Sequence, residues 1–249
     1  MPVRTEAIVL RLVNFSNTSR VLALYTERAG QVRAIAKGLR RRRSLFAPMD
    51  LFSRNEIVYY PRRGLALSIL KESFELDAHR AIGSSLARLY AASAAAELLL
   101  WGTPVDEADP ALWALARGVF ERLARGEASA RAVLAAFAFG FLKRTGHGPV
   151  VDRCVECGAR GRRSPAFVPA AGGLVCPPCR RAHRLEGLAL GREVVEALAR
   201  LDAAGGEAIW DVPLAAGAAR RILVALLAHA QRALEAPLDG LRLAEERAA

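Results

Sequence analysis

The sequence predicts an α+β fold in which a small five-stranded β-barrel precedes an all-helical domain that carries a four-cysteine module. Three observations support this prediction. Apolar and polar residues alternate between residues 5 and 74, and from Ala78 onward apolar residues recur at three- and four-residue steps. All four cysteines lie between residues 154 and 179. We therefore expect a barrel at 1–78, a helical domain at 79–149 and 186–249, and a metal module at 150–185 inserted in the helical domain.

Five short strands account for the alternation in the N-terminal segment. They are predicted at residues 8–12, 21–26, 31–36, 51–60 and 65–74, with tight turns at 27–30 and 61–64. Five antiparallel strands in so short a segment favour a closed barrel, and the OB-fold is the commonest five-stranded barrel. An SH3-like barrel would fit the same pattern.

Five helices are predicted after the barrel. They cover residues 82–100, 110–126, 129–145, 192–201 and 214–236. Asp109 is expected to cap the second helix, because an Asp followed by Pro110 at the first helical position is a typical helix start. The apolar stripes of these helices are expected to form ordinary core.

The four cysteines form two C-x2-C pairs separated by eighteen residues, and they are Cys154, Cys157, Cys176 and Cys179. Each pair can direct two sulfur atoms at one tetrahedral ion, so the spacing predicts a structural zinc site. Two disulfides are the alternative, and nothing in the sequence marks the chain as secreted. A catalytic zinc with Glu156 as the base is less favoured, because a fourth thiolate leaves no position for water. His183 is a competing ligand.

The chain is strongly basic, with a net charge of +11 that comes almost entirely from arginine. Residues 1–80 contain fifteen basic and seven acidic side chains, and residues 150–185 contain seven and two. Residues 81–149 are nearly balanced, and residues 186–249 are acidic. Arginine pairs with phosphate and stacks on bases, so we expect a phosphate-binding surface on the barrel, with help from the zinc module.

Four consecutive arginines follow the third predicted strand and must form an exposed loop, since they cannot be buried without partners. A solvated charge run is the alternative interpretation. The candidate DNA-binding residues are these arginines and the basic residues near them: Arg33, Lys37, Arg40, Arg41, Arg42, Arg43, Arg54, Arg62, Arg63 and Lys71. Nearby aromatic residues could stack on bases, and they are Phe15, Phe46, Phe52, Tyr59 and Tyr60.

The sequence contains no signal for export, for a membrane span or for catalysis. The N-terminal residues are interrupted by charges, and no apolar run approaches the ~20 residues of a membrane helix. The four histidines are scattered without paired carboxylates, and there is no phosphate-binding loop of the ATPase type. We expect a cytoplasmic protein that is not an enzyme and has no membrane partner.

Two blocks of sequence resemble the RecO family of bacterial recombination-mediator proteins. The first block comprises segments 7–11, 21–30 and 32–38, which are followed by basic residues and Ser44. The second comprises segments 141–146 and 149–154, Cys157-Gly158, Phe167, Gly172-Gly173 and the second cysteine pair. The resemblance covers most of the chain in the right order.

This resemblance implies an OB-fold followed by a helical domain with a zinc element. It implies binding of single- and double-stranded DNA, annealing of complementary strands and loading of a recombinase onto coated single strands in the nucleoid. The implied partners are RecR and single-stranded-DNA-binding protein. An RNA-binding or ribosome-associated zinc protein, or a zinc-dependent enzyme that modifies nucleic acid, is the alternative.

The near-neutral helices are expected to provide a docking surface for an acidic tail of a partner. A surface meant only for DNA would gain from basic charge throughout. Four arginines of the helical segment could anchor the tail, and they are Arg88, Arg122, Arg125 and Arg131.

Overall fold

The computed structural model describes residues 1–39, 46–62, 66–161 and 164–238. The chain forms two compact units, residues 1–125 and residues 126–249. The first two helices thus belong to the same compact unit as the barrel, whereas the sequence-based division places them with the later helices. That division, with boundaries after 78, 149 and 185, stays a prediction about which segments fold together.

The barrel consists of five strands in the order β1-β2-β3-β5-β4, which confirms the OB-fold prediction. The strands are β1 (Val3–Asn14), β2 (Arg20–Thr26), β3 (Gly30–Ala36), β4 (Arg54–Tyr60) and β5 (Ser68–Asp77). Four neighbouring pairs are antiparallel and β3 pairs with β5 in parallel, although the sequence suggested antiparallel strands throughout. Directions cannot alternate around a closed ring with an odd number of strands, so one parallel pair is unavoidable.

Alternating side chains of the strands fill the interior of the barrel, as the period of two requires. Ala7 and Val9 of β1 and Leu22 and Leu24 of the neighbouring strand β2 all belong to this core, and all four are fully buried. Met49, which precedes β4, is 2% exposed and belongs to the same cluster. This core explains why alternation was a reliable signal in this segment.

Part of the outer wall of the barrel is covered by two helices, α1 (Leu86–Gly102) and α2 (Pro110–Arg125). Tyr25 of β2 stacks on Trp113 with ring centroids 6.4 Å apart, and Phe52 stacks on Phe120 at 5.5 Å. The buried imidazole of His79 contacts the Phe52 carbonyl oxygen at 2.7 Å through Nδ1. Aromatic contacts of this kind add stability beyond the area that they bury, so the helices are firmly attached to the barrel.

The loop between α1 and α2 is fastened to the β2–β3 turn. The backbone N–H of Asp106 donates to the carbonyl oxygen of Gln31 at 2.9 Å. Gly30 has a φ of +59°, and a Cβ at this position would collide with the carbonyl oxygen of Glu107. Only glycine therefore satisfies both the left-handed backbone and the close approach of this loop.

The second unit contains helices and a small sheet. The helices are α3 (Ala130–Arg144), α4 (Pro177–Ala182), α5 (Arg192–Ala203) and α6 (Ala216–Ala233), and the strands are β6 (Ala166–Val168), β7 (Gly173–Val175) and β8 (Leu188–Ala189). The predicted helices at 82–100, 110–126, 129–145, 192–201 and 214–236 are confirmed with shifted ends. The short α4 and the sheet were not predicted, because two- and three-residue strands are too short to show a periodic pattern.

Helix α6 holds the small sheet against the helices of its unit. Its buried His229 donates from Nε2 to the carbonyl oxygen of His147, 2.8 Å away, and its ring lies edge-on to Phe167 of β6. A Cβ at Gly173 would lie 2.9 Å from Val150 N and would overlap the Val150 carbonyl, so this close bridge requires glycine. These contacts fix the frame on which the cysteines are mounted.

Candidate metal centre and nucleic-acid surface

The four cysteines come together at one point of the second unit. Their sulfur atoms all lie within 4.8 Å of one another, and Cys157 Sγ is 3.9 Å from Cys176 Sγ. Tetrahedral zinc with Zn–S bonds of about 2.3 Å would place sulfur atoms roughly 3.8 Å apart. The residues present therefore fit a four-thiolate metal site.

Local backbone structure positions each pair. Cys154 begins a tight turn in which the N–H of Gly158 donates to the Cys154 carbonyl oxygen at 2.9 Å. Cys176 immediately precedes α4, and Cys179 lies in the first turn of that helix. The N–H of Cys176 also points at Cys154 Sγ, at 3.4 Å, so the second pair helps to orient the first.

Burial divides the four cysteines into an inner and an outer set. Cys154 and Cys176 are 4% and 2% exposed, Cys157 is exposed, and Cys179 is intermediate. All four thiols are free of disulfides, and His183 lies outside the cluster among the described residues. The centre is thus built from thiols alone, as the spacing predicted.

The electrostatics of the centre favour a cation. Burial raises the pKa of the Cys154 thiol, but N–H groups of Cys176, Cys157 and Glu156 outweigh that effect and lower it to about 6. Hydrogen bonds with the Cys176 and Cys157 side chains, followed by burial, raise the pKa of Cys179 to about 12. Four thiolates this close repel one another, and a divalent ion removes that cost.

The candidate DNA-binding residues of the barrel fall into three groups. Arg40–Arg43 and Arg63 lie outside the described residues. Arg54 is partly buried and forms an ion pair with Glu6 at 2.9 Å. The remaining four are exposed, and no carboxylate among the described residues lies within salt-bridge distance of them: Arg33, Lys37, Arg62 and Lys71.

Arg11, which is not among the candidates predicted from sequence, extends this basic surface onto β1. Arg11 is exposed and lies opposite Ala23 of β2, and Ala23 in turn lies opposite Arg33 of β3. The two arginines therefore flank one small residue on the same face of the sheet. Strand alternation could have placed Arg11 outside the barrel, but its alignment with Arg33 depends on the β1 bulge between Val9 and Arg11.

The structure separates the aromatic candidates into core and surface residues. Phe52 and Tyr59 are 4% and 2% exposed and are core residues, and Phe46 is partly buried against the core. Phe15 and Tyr60 are 65% and 40% exposed. Only the latter two of the five candidates are accessible to a stacked base.

The anchors that the sequence suggested for a partner's tail are divided between the two units. Arg88, Arg122 and Arg125 lie in the first unit, and Arg131 lies near the start of α3 in the second. Arg125 is the exposed member of the four, at the end of α2. No described helix is long and apolar enough to cross a membrane.

The closed barrel and the four-thiol centre define the class: an OB-fold protein whose helical part carries a four-cysteine module that fits a metal ion. The chain belongs to the RecO family, because the family model for the N-terminal part of recombination protein O matches residues 1–75 and the model for its C-terminal part matches residues 83–242. This is a family of DNA repair and recombination proteins. The resemblance stated from sequence is thereby confirmed.

Individual relatives agree with this assignment. The chain is 35% identical over 185 residues to the DNA repair protein RecO of Rubrobacter xylanophilus, which covers 71% of each chain. It is 33% identical over 233 residues to the DNA repair protein RecO of an Anaeromyxobacter species, covering 91% of this chain and 90% of the relative. A Synechococcus DNA repair protein RecO is 31% identical over 247 residues, covering 93% and 82%.

Proposed function

We propose that this RecO-family protein binds single- and double-stranded DNA, anneals complementary strands and, with a partner, helps to load a recombinase onto coated single strands. The observation that carries the proposal is the open basic face of the barrel, on which Arg11, Arg33 and Lys71 are exposed. Such a surface neutralises phosphates without reading sequence. Annealing requires no bond chemistry, so the protein acts without being an enzyme.

The metal centre serves this function indirectly. We propose that Cys154, Cys157, Cys176 and Cys179 hold one structural zinc ion, whose binding stabilises the module. The module carries a cluster of arginines immediately after its last ligand, at positions 180, 181 and 184. A folded module would present these charges as a second site for phosphate.

The proposed partners are those that the resemblance to the RecO family implies. RecR and the acidic tail of single-stranded-DNA-binding protein are the proposed partners, and exposed Arg125 is the proposed anchor for the tail. Titrating the full chain with a tail peptide tests this part. Arg125→Glu should weaken peptide binding, and Arg4→Glu, on the barrel, should leave it unchanged.

A strand-annealing assay without nucleotide tests the function as a whole. The full chain should accelerate pairing of complementary strands coated with single-stranded-DNA-binding protein, and the acceleration should fall steeply with salt. The same assay with RNA strands of identical sequence is the control for nucleic-acid type. Failure to accelerate pairing of DNA at low salt would contradict the proposal.

A further inference from the structure

The acidic residues of the barrel strands lie on three neighbouring strands. Strands β2 and β3 contain no Asp or Glu, and all five acidic residues of the strands lie on β1, β4 and β5. Two contiguous rows of side chains cross these three strands, and we call their six residues the acidic face. Read from β1 across β4 to β5, the rows are Glu6, Glu56 and Phe74, and Arg4, Val58 and Glu72.

Both rows point away from the interior of the barrel. The residues next to them along the strands point inward, and Ala7, Ile57 and Ser73 are each at most 1% exposed. Phe74 is 51% exposed, and Leu76, two positions further along β5, is 45% exposed. The acidic face thus presents an open aromatic ring beside carboxylates.

The negative charge of the face is only partly neutralised by its own arginines. Glu56 forms an ion pair with Arg4 at 2.7 Å, and Glu6 forms one with Arg54 at 2.9 Å. Among the described residues, no cation lies within salt-bridge distance of Glu72. An uncompensated carboxylate therefore lies two positions from the exposed ring of Phe74, on a chain whose net charge is +11.

The same part of β5 has an open backbone edge. On the side away from β4, β3 pairs only with residues 68–70, and the N–H of Ala47 donates to the Ser73 carbonyl oxygen at 3.1 Å. Beyond Ser73, no strand of the described ranges pairs with β5 on that side. An unpaired edge offers N–H and C=O groups to a further extended segment.

Charge determines which ligand this edge accepts. The carboxylates repel the phosphates of nucleic acid and of anionic lipid, and they repel a second copy of the same edge. They attract the side chains of lysine and arginine. Side chains two positions apart in an extended segment point to the same side, as Glu72 and Phe74 do. The matching segment therefore has a basic residue and an apolar residue two positions apart.

We propose that the acidic face and the open edge of β5 bind an extended segment of a partner protein with this pattern. The apolar side chain of the segment packs on Phe74, its basic side chain pairs with Glu72, and its backbone pairs with the edge. The proposal goes beyond the proposed function, because it does not require that the barrel binds DNA. The site also differs from the proposed Arg125 anchor, which takes an acidic tail.

The closed order of the strands separates this site from the proposed DNA surface. β4 lies between β1 and β5 and pairs with neither β2 nor β3. Arg33 lies on β3, and Arg11 lies on the part of β1 that pairs with β2. Lys71, the residue of the β5 bulge next to Glu72, lies where the two surfaces meet. One molecule can therefore hold DNA and the partner segment together.

The test titrates the isotope-labelled full chain with a defined peptide and follows backbone amide signals by NMR. The probe is a capped peptide of about seven residues, in which lysine and leucine alternate at every second position and threonine fills the positions between them. The control peptide has glutamate in place of lysine. The variants are Phe74→Thr, which keeps a strand-forming residue, and Glu72→Gln, which removes only the charge.

The matched control variant is Val13→Thr, because Val13 is 46% exposed on β1 and lies opposite Val21 of β2. We expect the lysine peptide to shift the signals of residues 72–77 and to leave those of β2 in place. Phe74→Thr should weaken peptide binding at least about fivefold, and Glu72→Gln should weaken it about two- to fivefold. Val13→Thr should bind the peptide as the wild type does, and DNA binding by Phe74→Thr should be unchanged.

Three results would each overturn the proposal. The first is that no signal of residues 72–77 moves at a peptide concentration of about 1 mM. The second is equal binding of the lysine and glutamate peptides, and the third is an equal loss of affinity in Val13→Thr and Phe74→Thr. If Phe74→Thr does not fold, Glu72→Gln decides the outcome alone. A wild type that binds the lysine peptide but no DNA would reject the proposed function and leave this proposal standing.

Discussion

The barrel and the four-cysteine module differ in the size of their buried cores. Eleven buried residues from all five strands and the segment before β4 form the core cluster of the barrel. The corresponding cluster of the module contains five, and two of those are Cys154 and Cys176. We therefore expect the core of the barrel to stabilise it alone, and the folding of the module to depend on the proposed metal.

This difference between the two cores follows from the number of residues in each region. A segment of thirty-six residues, such as 150–185, cannot bury enough apolar surface to offset the loss of chain entropy. The proposed zinc ion would provide the missing free energy, because an ordered site exists only in the folded module. The barrel has about twice as many residues, and its ring of strands leaves no unpaired edge to destabilise it.

Of the changes predicted here, removal of the metal should cause the largest loss of stability. The loss should be confined to the four-cysteine module. Structural zinc sites contribute on the order of 10 kcal/mol at neutral pH. Cys154→Ser, or a strong chelator, should abolish protection from hydrogen exchange in residues 150–190 and leave the strands of the barrel protected. Hydrogen exchange measured by mass spectrometry checks both regions at once.

The control for the metal prediction is Val155→Ser, which changes an exposed neighbour that is not a ligand. It should leave both regions protected. Equal loss of protection in the barrel and the module after chelation would show that the two regions unfold together, and the contrast between them would be wrong.

Truncating a side chain in the barrel core should destabilise the barrel and leave the four-cysteine module folded. Leu24 is fully buried in the interior cluster, so Leu24→Ala should cost roughly 2–5 kcal/mol of unfolding free energy in the first unit. Val21→Ala on the outward face of the same strand is the control and should cost less. Metal content, measured by mass spectrometry of the purified variants, should stay at the wild-type level.

The salt dependence of DNA binding should reveal how the two regions share the neutralisation of phosphates. Replacing Arg40–Arg43 with alanine should flatten the slope of log affinity against log salt by about 0.9 for each phosphate of duplex DNA that is no longer neutralised, and by about 0.7 on single strands. Replacing Arg180, Arg181 and Arg184 with alanine should show, by the change in the same slope, how many phosphates the module neutralises. An unchanged slope in the first variant would show that the arginine run does not bind phosphate.

The slope of log metal affinity against pH should be smaller than four. A slope of four would mean that each of the four thiols releases one proton when the metal binds. Because the Cys154 pKa is lowered to about 6, that ligand is already a thiolate at neutral pH and releases no proton on binding. Cys179, with its pKa raised to about 12, must release one. Affinity should rise with pH, by less than four logarithmic units per pH unit above pH 6 and more steeply below it. Chelator competition across this range checks the slope, and a slope of four at pH 7 to 8 would contradict the effect of the N–H groups on Cys154.

Most features that depend on residues close together in the sequence could be predicted from sequence patterns. The five barrel strands and the clustering of the four cysteines were predictable because alternation and C-x2-C spacing are set within a few residues. The Asp109 cap was predicted for the same reason, and its Oδ1 accepts from the N–H groups of Ala111 and Leu112 at 3.0 Å.

The remaining features depend on contacts between distant segments. The parallel β3–β5 pair follows from closure of the ring, and the alignment of Arg11 with Arg33 follows from a bulge in β1. Sequence also grouped Arg54 with the free cations, because its ion pair with Glu6 joins residues 48 positions apart. Such partners become visible only when the registers of the strands are known.

Two helix caps give the smallest expected change in stability, and each should affect only one of the two units. Asp109 caps α2 in the first unit, and Ser129 caps α3 in the second, where its Oγ accepts from the N–H of Ala132 at 3.2 Å. Replacing either cap with alanine should cost about 1 kcal/mol. If α2 folds with the barrel, Asp109→Ala should accelerate hydrogen exchange in β1–β5 by about fivefold and leave α3 unchanged, and Ser129→Ala should do the reverse. Faster exchange of α3, and not of the strands, in Asp109→Ala would instead favour the division drawn from sequence, in which residues 79–149 belong to one helical domain.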